Sequence, residues 1–151
     1  MRDIDVHLPD RRLWGRWLNE SAHAVAPGIP TIVFLHEGLG SVGLWREFPE
    51  AVCRRAGLRG FAYDRTGYGR SSPWPVEPDR NYMAVEGDHV LPQLLDAARI
   101  GTCVLVGHSD GGTIALNYAS AQPSMLRGVV TIGAHVISEP RTLDAIRLAR
   151  A

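Results

Sequence analysis

The feature that most limits how this chain can fold is a five-residue junction, Gly107-His108-Ser109-Asp110-Gly111, between two segments of different periodicity. Thr102 to Val106 is a continuous apolar and β-branched run that reads as a buried strand. Gly112 to Ala121 is a run of small and apolar residues that reads as a helix. A turn this short forces strand and helix together, and glycines at both flanks are what such an approach needs. Ser109 then stands at the apex, clear of the sheet. The first N–H groups of the helix, with their partial positive charge, are directed at it, which favours an oxyanion there. An ordinary glycine-rich turn would account for Gly107 and Gly111 but gives no reason for a serine at the apex.

The rest of the chain repeats this strand-then-helix rhythm. Ile4 to Leu8 and Leu13 to Leu18 flank Pro9-Asp10 and read as an antiparallel hairpin. Thr31 to Leu35 reads as a strand buried on both faces. Gly38, Gly40 and Gly43 interrupt the chain before Leu44, Trp45, Phe48 and Val52, which share one face at helical spacing. Phe61-Ala62-Tyr63 is a short strand that empties into Asp64 to Ser71 and a proline-rich loop, 73–78. Met83, Val90, Leu91, Leu94, Leu95 and Ala98 mark a further helix, with Pro92 bending it or starting it. Val129 to Ile132 is a last strand before Gly133-Ala134-His135, and a helical pattern begins at Pro140. The alternation predicts an α/β fold, a mostly parallel doubly wound sheet with an antiparallel hairpin at its N-terminal edge.

Composition narrows the function classes. Of 151 residues, 45% are hydrophobic and 21% charged, with zero net charge and no basic cluster, so neither nucleic acid nor a membrane surface is an expected partner. A small-molecule substrate is; oligomeric state stays open. All 16 cationic residues are Arg, which removes Schiff-base chemistry, a phosphate-binding P-loop lysine and Ser–Lys dyads from this chain. The six histidines show no ligand spacing with Cys, Asp or Glu, so neither a metal nor another cofactor is expected. Cys53 and Cys103 are far apart in apolar segments and read as buried thiols. A charged N-terminus without an apolar signal region makes the cytoplasm the expected location.

The hairpin, the loop Leu35-His36-Glu37-Gly38-Leu39-Gly40-Ser41, the turn Asp64 to Ser71 and the junction Gly107 to Gly112, in that order, resemble the α/β-hydrolase superfamily. The likeness is to bacterial hydrolases of the group with epoxide hydrolases, haloperoxidases and meta-cleavage C–C hydrolases. It implies a serine hydrolase with Ser109 as nucleophile. It further implies an oxyanion hole made by the backbone N–H groups of Gly38 and Asp110, and no cofactor. Glu37 departs from the pattern, which has glycine after the histidine. Its carboxylate either faces solvent beside the loop or lines the pocket and disfavours anionic substrates. In the Asp64 turn, Thr66 stands where arginine is common, and Asp64 reads as turn chemistry. His36 and His108 correspond to positions used for loop support and packing, next to the candidate pocket. His135 follows the last strand, where pocket lining is the expected role. A dehalogenase reading is disfavoured, because the apex residue is Ser109 and Asp110 is one place out of register.

Members of the superfamily place the acid and base later, in the order Ser, Asp or Glu, His. Downstream of His135 the chain offers only Glu139 and Asp144 as acids and no histidine. The expectation is therefore that residues 1–133 form the N-terminal part of a hydrolase core and 134–151 begin a cap or a C-terminal helix. The triad would be completed beyond residue 151. The rival expectation is a truncated or non-catalytic remnant acting at most as a binding module.

Overall fold

The computed structural model describes residues 1–21, 28–78 and 80–137. Six strands form one sheet in the order β1-β2-β4-β3-β5-β6. β1 (Arg2–His7) and β2 (Arg12–Leu18) are the antiparallel hairpin, closed where Leu8 N–H donates to the Arg11 carbonyl at 2.8 Å. β2 also runs antiparallel to β4 (Gly60–Tyr63). From there β4, β3 (Thr31–Leu35), β5 (Cys103–His108) and β6 (Leu126–Ile132) are parallel. The mixed α/β sheet expected from the alternation is the one observed.

Period-2 alternation sorts the side chains onto two faces. Leu13, Trp17, Val33, Leu35, Phe61, Tyr63 and Leu105 project to one side, where they meet Leu91, Leu94 and Leu95 of α3 (Leu91–Ala97) and Ile114, Ala115 and Tyr118 of α4 (Asp110–Ser120). Trp14, Leu18, Ile32, Phe34, Ala62 and Val106 project to the other, over Cys53 of α1 (Phe48–Ala56). Both cysteines are buried free thiols, and burial pushes Cys53 up to about 12 and Cys103 up to about 11.

Two helical segments differ from their periodicity. Leu44, Trp45, Phe48 and Val52 do not share one buried helix face. Val42–Trp45 is a separate 3-10 turn that ends at Arg46 with φ +51°, and α1 starts afresh at Phe48 with Pro49 in its first turn. The buried side of α1 is Pro49 and Cys53, while the exposed Phe48 stacks on Trp45 at 5.6 Å along the edge of the core, against Phe34. The second segment is broken in the middle. α2 (Tyr82–Val85) is joined to α3 by one wide π turn, Glu86–Val90, in which Leu91 N–H reaches back to the Glu86 carbonyl. Pro92 has no N–H to give to the ladder, which locates the irregularity.

The chain leaves β3 toward β4 on one side and leaves β5 toward β6 on the other. The gap beyond the carboxyl ends of β3 and β5 is thus the switch point at which open α/β sheets bind ligands. Beside it, the buried Asp64 carboxylate ties two loops together, accepting Val42 N–H at 2.7 Å and Arg70 N–H at 2.8 Å. Ser71 Oγ, bonded to the Asp64 carbonyl and to Trp14 N–H, fastens the same turn to β2. Among the described residues no helix is long and apolar enough to cross a membrane. Of the expected second segment, 134–151, only residues up to Ile137 are described; Glu139, Asp144 and the helical pattern from Pro140 lie outside.

Replacing Asp64 with alanine strands the buried Val42 N–H and the part-buried Arg70 N–H and is expected to cost about 3 kcal/mol, read from the urea midpoint. Asp64→Asn, which keeps one acceptor oxygen, is expected to cost less.

Candidate active site

Ser109 lies between β5 and α4 with φ +50° and ψ −118°, a left-handed conformation that a non-glycine residue holds only at a cost of about 1–3 kcal/mol. Its N–H donates to the Ile132 carbonyl at the end of β6 at 2.8 Å. Its carbonyl accepts from Gly112 and Thr113 at 2.9 and 3.2 Å. The hydroxyl makes no helix-capping hydrogen bond, so it is not consumed by the structure that carries it. The flanking glycines are steric requirements. A Cβ on Gly107 would lie 2.3 Å from the Gly111 carbonyl oxygen, and one on Gly111 would lie 2.1 Å from the Leu35 carbonyl oxygen.

That second contact brings the loop after β3 against the junction. A Cβ on Gly38 would meet the Asp110 carboxylate at 2.6 Å, so the Gly38 backbone lies against the Asp110 side chain. The Glu37 side chain folds back over Gly40 and points its carboxylate at His108 Nδ1, 3.4 Å away. Glu37, Gly38, His108, Ser109 and Asp110 therefore converge at the carboxyl ends of β3 and β5. His36 lies beneath them, fully buried. His135 has an exposed side chain, and its backbone N–H and carbonyl both engage Thr113 Oγ1 on α4.

Two residues absent from the sequence-based site belong to this cluster. Arg65, fully buried, donates Nη2 to the Glu37 carbonyl at 2.9 Å and stands 3.9 Å from the Asp110 carboxylate. Tyr82 donates its O–H to the same Asp110 carboxylate, and burial together with that bond pushes the phenol up. Only their chemical type was legible in the chain. Arg65 is one of several polar residues in the Asp64 turn, and Tyr82 opens a segment whose register was obscured by the π turn.

Residues 30–150 match the alpha/beta hydrolase fold family. The chain belongs to it. Among curated relatives, the chain is 36% identical over 104 residues to the sn-1-specific diacylglycerol lipase ABHD11 of Mus musculus, which covers 69% of this chain and 32% of that protein. It is 35% identical over 118 residues to the putative carbamate hydrolase RutD of Variovorax paradoxus, covering 78% of this chain and 42% of that protein. The crystal structure of epoxide hydrolase VrEH1 from Vigna radiata superposes with a TM-score of 0.74 at 22% identity, over 98% of this chain and 46% of that one, a likeness of fold. The chain thus spans roughly a third to under half the length of these relatives.

Within this α/β-hydrolase site the tautomer of His36 follows from its neighbours. The Arg65 backbone N–H can only donate, and it meets Nε2 at 3.0 Å, so Nε2 is unprotonated. Nδ1 carries the proton and gives it to the Glu37 carbonyl at 2.7 Å. Burial, with the nearby Arg65 cation, lowers the imidazole from 6.5 to about 4. The stabilisation from a neutral His36 is fully present above about pH 6.5 and is lost as the pH falls toward 4. The loss amounts to about 3 kcal/mol. A His36→Gln variant, which cannot titrate, is expected to lose less stability than the native chain between pH 7 and pH 4.5 in urea titrations. Parallel pH profiles would refute this role.

Proposed function

We propose that this α/β-hydrolase is a serine hydrolase, with Ser109 attacking the carbonyl carbon of an ester, thioester or related small molecule. The observation that carries this is the conformation of Ser109: a strained, positive-φ apex residue at the switch point of the sheet, its hydroxyl making no helix-capping bond. Backbone strain persists where surrounding structure enforces it, and it clusters at reacting residues. As the carbonyl carbon becomes tetrahedral, its oxygen takes negative charge, and the N–H groups of Gly38 and Asp110 are the donors assigned to receive it. A hole of this kind helps only where an oxygen gains charge, which favours carbonyl substrates. The names of the lipase and carbamate hydrolase relatives fit that chemistry.

An acid and a histidine, in the order usual for this fold, would activate Ser109. His36 is spent on Glu37 and Arg65, and His108 turns Nδ1 toward Glu37. The histidine would take the Ser109 proton during attack and return it to the leaving group. Water would then hydrolyse the acyl-enzyme.

Treatment of the full-length protein with a fluorophosphonate is expected to give one covalent adduct, located to Ser109 by peptide mass spectrometry. Ser109→Ala is expected to abolish it and to lower p-nitrophenyl ester hydrolysis on the order of 10³-fold or more. A protein that is folded yet unlabelled at Ser109 would favour a non-catalytic role.

A further inference from the structure

We propose that Arg65 is the positioning residue of the oxyanion hole, holding both halves of it from beneath. This rests on Ser109 being the nucleophile and on Gly38 and Asp110 being the oxyanion donors.

The Glu37 carbonyl and the Gly38 N–H belong to one peptide group. That group is planar and trans, so the two bonds point in opposite directions. The carbonyl is turned inward, where it accepts Arg65 Nη2 at 2.9 Å and His36 Nδ1 at 2.7 Å. The N–H is thereby turned outward, away from the buried cation. With the Gly40 N–H at 3.1 Å as a third donor, these bonds fix the rotation of the plane, and Arg65 is the charged one among them. They also polarise the amide, drawing electron density toward oxygen and leaving the N–H a stronger donor.

The same Nη2 stands 3.9 Å from the Asp110 carboxylate, which Tyr82 O–H also holds. Asp110 is the first residue of α4, and its backbone N–H is the second donor of the hole. One guanidinium therefore faces both the loop after β3 and the start of α4, which the Gly111–Leu35 backbone contact has brought together. Arg65 is itself immobilised. It is fully buried, its backbone N–H is bonded to His36 Nε2, and its guanidinium lies 4.7 Å over the Tyr68 ring. A buried cation with two nitrogens, Nε and Nη1, lacking hydrogen-bond partners among the described residues is costly for stability alone. A place in the catalytic geometry explains why it is here.

The test compares Arg65→Met and Arg65→Lys in the full-length protein, with folding checked by circular dichroism and thermal midpoint. Two readouts are taken: kcat and KM on a p-nitrophenyl ester, and inhibition by an alkyl trifluoromethyl ketone, whose serine adduct places an oxyanion in the hole. Arg65→Met is expected to lower kcat roughly 10- to 100-fold, since full loss of one oxyanion donor costs about 10²–10³. KM should stay within about twofold, and ketone affinity should weaken in parallel with kcat. Arg65→Lys, with one donor and the charge retained, should recover part of both. If Arg65→Met does not fold, Arg65→Lys decides alone: kcat and ketone affinity falling together supports the role, and neither changing overturns it. A folded Arg65→Met with native kcat and ketone affinity, or a change confined to KM, also overturns it. Fluorophosphonate labelling of the native protein separates the two readings. No adduct at Ser109 removes the serine mechanism, whereas an adduct with indifferent Arg65 variants removes only the role of Arg65.

Discussion

Backbone pressed against backbone, where Gly111 meets the end of β3, is the contact on which the site depends. No side chain fits between the first turn of α4 and the Leu35 carbonyl. This brings the junction that carries Ser109 and the loop that carries Gly38 to one point, although 70 residues separate Gly38 and Ser109 in the sequence. β3 and β5 pair directly, Leu35 opposite Gly107, so their carboxyl ends stop at the same height. The β6 terminus contributes the Ile132 carbonyl that holds Ser109 N–H. Three parallel strands thus fix the strained residue by their ends.

A second layer, made of buried polar groups, lies below those loops. Asp64, Arg65, Thr66, His36 and Glu86 are all buried, in a region where unpaired charge is expensive. Asp64 holds the loop around Val42, and Arg65 and His36 hold the Glu37 carbonyl. Burial pushes the Glu86 carboxyl up, opposed by Thr66 and by the Arg65 and Arg11 cations. This layer does not resemble the apolar core around it. Asp64, Arg65 and His36 are directed at loop backbone, so the stability spent on burying them is recovered as loop geometry at the site.

Much of the architecture was readable from residue pattern, because burial on both faces imposes continuous apolar runs on strands. Thr31 to Leu35 coincides with β3, and the hairpin and the β5–α4 junction stand where the pattern put them. The pattern misled at Leu44 to Val52, where a positive φ at Arg46 breaks a spacing that looks continuous in the sequence. It was ambiguous near Pro92, since a missing N–H permits either a bend or a start. Arg65 and Tyr82 escaped notice because an isolated polar residue carries no signal of burial. Their importance comes from one shared partner, Asp110, which is 45 positions from Arg65 and 28 from Tyr82.

The sequence by itself determined the class of fold, the junction and the residue at its apex, since these follow from local steric rules and from hydrophobic periodicity. The role of the carboxylate at Asp110, the side on which Glu37 lies and the protonated nitrogen of His36 were decided only by tertiary structure. Each depends on which groups from other strands arrive within hydrogen-bonding distance, and chain-local chemistry does not encode that. The same serine in an isolated peptide would be an ordinary alcohol. Strand ends, an abutting glycine and a buried guanidinium set the surroundings in which it stands.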